Sequence, residues 1–107
     1  MKKVRRPIDP PPFAGNLILS TYPGMTLSGA LPADHLVGNP LHFAVVAAPI
    51  HGAVVVVDPT AGRFTYTASG RGIGSDSFIF TATDTVTGHV SNLGMVTVIV
   101  AESPDPL

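Results

Sequence analysis

The sequence predicts an all-β fold, two sheets of about seven short strands packed face to face as a sandwich. Three observations lead there. Eleven glycines and eleven prolines in 107 residues interrupt nearly every window in which a helix of average length could be drawn. Apolar residues alternate with polar ones at period two, the strand repeat. Turn residues recur at roughly ten-residue intervals, the spacing of a sandwich rather than of strand–helix units. The length suits one core of about 100 to 150 residues and leaves no room for a second. A small closed barrel is the runner-up arrangement.

The elements follow in chain order. Residues 16–21 form a first strand that ends at the Pro23-Gly24 turn. Residues 25–31 form a second, with Leu27, Gly29 and Leu31 on one face, and residues 32–40 read as a loop through Asp34, Gly38 and Asn39. In the third strand Leu41, Phe43 and Val45 alternate with His42, Ala44 and Val46, and it stops near Pro49. His51-Gly52 turns the chain into residues 53–57, a β-branched run too short for a helix. Residues 58–62 make a hairpin loop with Pro59 and Gly62. Residues 63–67 return with Phe64 and Tyr66 on one face. Gly70, Gly72 and Gly74 make a flexible loop, and residues 76–83 set Phe78, Phe80 and Ala82 against Ser77, Ile79 and Thr81. After a polar turn region, residues 84–92, Val96, Val98 and Val100 alternate with Thr97 and Ile99 in the last strand. The predicted core is Leu27, Leu31, Leu41, Phe43, Val54, Val56, Phe64, Tyr66, Phe78, Phe80, Val96 and Val98.

Residues 1–15 read as a proline-rich linker and residues 102–107 as another, which bounds the folded domain at 16–101. The basic cluster Lys2, Lys3, Arg5 and Arg6 reads as a solvated tail. Six basic against seven acidic residues give a net charge of −1, so no overall field attracts nucleic acid or anionic lipid. The absence of cysteine excludes disulfides and thiolate chemistry. Behind the basic opening comes proline rather than an apolar stretch, so no signal peptide is expected in this chain. No run approaches the roughly 20 apolar residues of a membrane helix, so no membrane insertion is expected. A piece of a longer protein fits these features.

The segments Asn39-Pro40-Leu41-His42-Phe43, Pro49-Ile50-His51-Gly52, Gly62-Arg63-Phe64-Thr65-Tyr66-Thr67, residues 74–84 and residues 96–100, in this order and spacing, resemble bacterial immunoglobulin-like and cadherin-like tandem repeats of the VCBS type. The match spans about residues 25–101. The resemblance implies an immunoglobulin-like (cadherin-like) Greek-key β-sandwich, strung in tandem in surface-attached or secreted bacterial proteins as a stalk or contact module. It also implies an acidic calcium loop ahead of Asn39. This chain departs from that pattern, with Asp34 the one carboxylate in residues 33–39. Calcium takes six to eight oxygen ligands. The calcium candidates are therefore the sparse set Asp34, Asn39, Asp84 and Glu102, the last two as parts of a site shared with a neighbouring module. No other cofactor is implied.

Other constellations have plainer readings. The four histidines, His35, His42, His51 and His89, lack zinc-motif spacing and read as surface or turn residues. Ser69, Ser75 and Ser77 do not lie in a nucleophile elbow, and Asp76 reads as a strand-entry carboxylate that caps loop N–H groups. Gly70, Gly72 and Gly74 precede a strand, so no helix N-terminus waits for a phosphate. Asp58 and Asp84 read as turn residues that accept from N–H groups two positions on. Only Phe13 and Tyr22 are aromatic residues outside the expected core, few for stacking on sugars.

The expected role is a non-catalytic structural or adhesion module of a larger bacterial surface or secreted protein, extracellular or at the cell surface. Its expected partners are neighbouring repeats and a host-surface or matrix protein or glycan, and the isolated domain is expected to be a monomer. The alternative is a ligand-binding module using the loops at one end of the sandwich. A third reading makes residues 53–57 an edge strand open to pairing.

Overall fold

The computed structural model describes residues 10–70 and 72–102. The basic cluster at Lys2, Lys3, Arg5 and Arg6, most of the expected N-terminal linker and residues 103–107 lie outside the described residues.

Among the described residues nine strands form in chain order: β1 Phe13–Ala14, β2 Leu17–Thr21, β3 Thr26–Ala30, β4 Ala33–Asp34, β5 Leu41–Ala47, β6 Ala53–Asp58, β7 Arg63–Thr67, β8 Gly74–Asp84 and β9 Gly94–Val100. They build a four-stranded sheet in the order β2-β9-β8-β5, a three-stranded sheet in the order β3-β7-β6, and a small β1-β4 pair. Two separate sheets facing each other make this a sandwich and not a closed barrel. The chain passes from β5 in one sheet to β6 and β7 in the other, then back to β8 and β9. Non-consecutive strands thereby become neighbours, as in a Greek key. Every pairing is antiparallel except that of β2 with β9, which is parallel.

Three expectations are corrected. The N-terminal linker does not extend to residue 15, because Pro12 and Ala14 are buried and β1 pairs with β4. Proline content obscured this, although Ala14 needs only a backbone ladder and a small cavity. The same pairing places a strand inside residues 32–40, expected to be all loop. The long strand β8 also starts earlier than expected, at Gly74 opposite Val100.

The core lies between the sheets, where alternation directs the apolar sides of β7, β8 and β9. All twelve residues of the predicted core are buried or packed against the buried cluster. Phe64 of β7 meets Phe78 of β8 edge-on, with ring centroids 5.5 Å apart and planes at 72°, an arrangement favoured by the ring quadrupoles. Phe43 and Phe80 pack at 6.4 Å. Gly94 lets Phe80 reach this position, since a Cβ there would stand 2.5 Å from the ring.

Candidate functional site

β8 carries chemistry at both ends. Its even-numbered residues face inward, so the register that buries Phe78, Phe80 and Ala82 also buries Asp76 at one end and Asp84 at the other. A buried carboxylate is tolerated only when hydrogen bonds replace its water, and both have them.

Asp76 gathers the loop between β5 and β6. Its Oδ1 accepts from Ile50 N–H at 2.9 Å and Ser77 N–H at 3.0 Å. Its Oδ2 accepts from His51 N–H at 3.1 Å, Gly52 N–H at 2.8 Å and the Tyr66 hydroxyl at 2.7 Å. The capping role expected of Asp76 is thus observed, reaching across 24 to 26 residues rather than to its own neighbours alone. Gly52 is required here, because a Cβ would press on the Tyr66 ring and sit 2.6 Å from Thr67 O. Burial disfavours the Asp76 anion, but the bonds from Tyr66, Gly52, Ile50 and His51 outweigh it and hold the carboxyl below its ordinary range. Tyr66 moves the other way: burial first, then its bond to Asp76 and the nearby negative charge, hold the phenol well above its ordinary value.

Asp84 pins the opposite pole. Its Oδ1 accepts from Val86 N–H at 2.7 Å and Thr87 N–H at 3.0 Å, the Asx turn the sequence suggested. Its Oδ2 accepts from Asn39 Nδ2 at 3.0 Å and His35 Nε2 at 2.5 Å. Burial again opposes ionisation, and the bonds from Thr87, Asn39, His35 and Val86 overcome it, leaving the carboxyl well below the usual range. The reading of His35 as a surface residue is corrected, since its side chain is 4% exposed. The cause is non-local: the loop after β4 folds over the end of β8. Because the Asp84 carboxylate is an acceptor, Nε2 carries the proton it donates, and the buried Nδ1 has no partner among the described residues. His42, His51 and His89 are exposed, as expected.

Of the calcium candidates, Asn39 and Asp84 come together, with both Asp84 oxygens already accepting from protein donors. Asp34 is an exposed β4 residue opposite Phe13, and Glu102 is exposed beyond β9, whose end pairs with the start of β8, the pole opposite Asp84. Among the described residues no three His, Asp or Glu side chains gather as a metal cluster. Asp58 is the expected turn residue, accepting from Thr60 N–H at 3.1 Å and Ala61 N–H at 3.2 Å. At the Asp76 pole a cleft of about 470 Å³ opens among His51, Tyr66, Ser69, Ile73, Ser75 and Val100. Sequence reasoning did not find it, because its walls come from four separated segments.

The sequence has a counterpart among known families. The family model described as Bacterial Ig domain matches residues 9–98. The chain belongs to this family. The extent of the match agrees with the packing of Pro12 and Ala14 into the bacterial Ig domain described above. Among solved structures this Ig domain is similar to the crystal structure of Listeria monocytogenes InlP, at 13% identity and a TM-score of 0.39. That similarity covers 80% of this chain and 26% of the other, so the chain spans about a quarter of that structure's length. No curated protein matches the chain.

Proposed function

We propose that this bacterial Ig domain is a non-catalytic structural or adhesion module, a stalk or contact repeat of a larger surface or secreted protein. The observation that carries the reading is the parallel pairing of β2 with β9. The first long strand and the last run in the same direction, so the chain enters at one pole and leaves at the other. At the entry pole Ala14 is held by Asn92, whose side chain accepts from its N–H at 2.8 Å and donates to its carbonyl at 2.9 Å. At the exit Ala101 N–H donates to Thr21 O at 2.9 Å. A module fixed at opposite poles transmits chain direction and adds its length to a rod. The two buried carboxylates fit the same role, since their oxygens are spent on holding loops and not offered to a substrate.

The test is accessibility in the source bacterium. Antibody against the folded domain should label intact cells, or detect the domain in the medium, and protease added outside should remove the cell-bound signal. Recovery of the domain from the cytosol alone would overturn the proposal. The cleft at the exit pole supports a second reading, a module that binds a glycan or partner protein there. Chemical-shift changes at Ile73 and Ser75 on titration with a glycan panel would support the glycan form, and an unchanged spectrum would remove it.

A further inference from the structure

β6 is an edge strand, with no further strand on its outer side among the described residues. Its one ladder is with β7, and among the described residues the backbone of residues 53–57 makes no hydrogen bond outside that ladder. An edge strand presents a row of unpaired N–H and C=O groups, a template for another strand. The edge of β5, on the same side of the sandwich, is partly closed, because Phe43 N–H donates to Pro59 O at 2.8 Å. Residues 53–57 contain no charge and no proline, and four of them are consecutive valines, among the residues best suited to a pleated surface. The side chains of Val55 and Val57 are 57% and 58% exposed on the outer face. Lysine, proline and inward charge usually guard such edges. β6 has instead one irregularity of register between Val56 and Asp58. The free edge of β3, by contrast, is interrupted by Gly29.

We propose that β6 is a self-association edge, pairing antiparallel with β6 of a second copy of this chain about a two-fold axis at Val55. The sequence of the strand favours its own copy as the occupant. With Val55 opposite itself, Val54 faces Val56 and Ala53 faces Val57, so both faces match apolar against apolar. Asp58 falls opposite Gly52, and the two Asp58 carboxylates lie about 20 Å apart at the rise of a β-strand, which removes the like-charge clash that opposes many self-pairings. The three-stranded sheet becomes a six-stranded one, and the isologous contact closes at the dimer. β6 lies along the side of the sandwich, so both poles remain free for chain continuity, and the paired molecules run in opposite directions. This contact is independent of the stalk reading and revises the expectation of a monomer.

Sedimentation velocity on the chain, from about 10 μM to about 1 mM, should report a monomer–dimer equilibrium. V55K places two lysines face to face at the axis on an outward position, and should weaken the dimer by about tenfold or more. V86K, exposed and off the edge, should leave the association unchanged. On the unmodified chain, amide hydrogen exchange within residues 53–57 should slow as concentration rises. A monomer at every concentration, an association indifferent to V55K, growth beyond the dimer, or exchange in residues 53–57 that ignores concentration would each overturn the proposal.

Discussion

The Tyr66 hydroxyl donates to Asp76 Oδ2 at 2.7 Å, joining β7 of one sheet to β8 of the other at the edge of the core. It is a polar bond between the two layers, and the same carboxylate fixes three loop N–H groups at residues 50–52.

Tyr66→Phe keeps the ring and removes the donor, so a cost of about 1 to 3 kcal/mol is expected for the lost charge-assisted bond. Asp76→Ala should cost more, because it orphans the hydroxyl and three loop N–H groups together. Urea melts give both values, and amide exchange at residues 50–52 should accelerate in Asp76→Ala while staying slow in Tyr66→Phe. Equal costs for the two variants would show that the loop does not depend on the carboxylate.

Stability should fall at both extremes of pH, for opposite reasons. Asp76 and Asp84 have folded-state pKa values below those of the unfolded chain, near 3.9. Their contribution is complete above that value and is lost as pH drops through the lower folded values, where the unfolded chain binds the extra protons. Tyr66 is raised, so its contribution is complete below the unfolded value near 10 and is lost as pH rises beyond it. Denaturation midpoints measured across pH should show a shallower acid limb in Asp84→Asn and a shallower alkaline limb in Tyr66→Phe.

Phe80→Ala should cost about 3 to 5 kcal/mol through the cavity left beside Phe43 and Gly94, out of the roughly 5 to 15 typical of a whole domain. Phe80 is fully buried, and an unchanged denaturant midpoint would contradict that placement.

Gly94→Ala should destabilise by about 1 to 3 kcal/mol. The added Cβ meets Phe80 at 2.5 Å and the carbonyl of Gly15 at 2.8 Å, and backbone cannot swing aside as a long side chain can. The double variant with Phe80→Ala should recover part of the loss, a non-additivity that a thermal-denaturation cycle would measure.

The sandwich was legible because β8 and β9 alternate cleanly. Phe78, Phe80, Val96 and Val98 each face the core that period two assigns them. The same rule, carried two positions beyond Phe78 and Ala82, places Asp76 and Asp84 inward, so their burial was written in the sequence. Their partners were not. His35 meets Asp84 across 49 residues and Ile50 meets Asp76 across 26, and no local pattern pairs residues at such separations. The strand at Phe13–Ala14 was obscured by the prolines around it, since composition there signals an extended chain without saying what it lies against.

By itself, then, the sequence determined the fold class, the inward face of each long strand and the Asx turns at Asp58 and Asp84, because side-chain alternation and turn chemistry act over a few residues. Only the tertiary structure decided that β2 runs parallel to β9, that His35 is buried against Asp84, and that the valines of β6 lie at the end of the order β3-β7-β6 among the described strands. Those outcomes depend on which distant segments become neighbours, and that is fixed by closing the two sheets over a shared core.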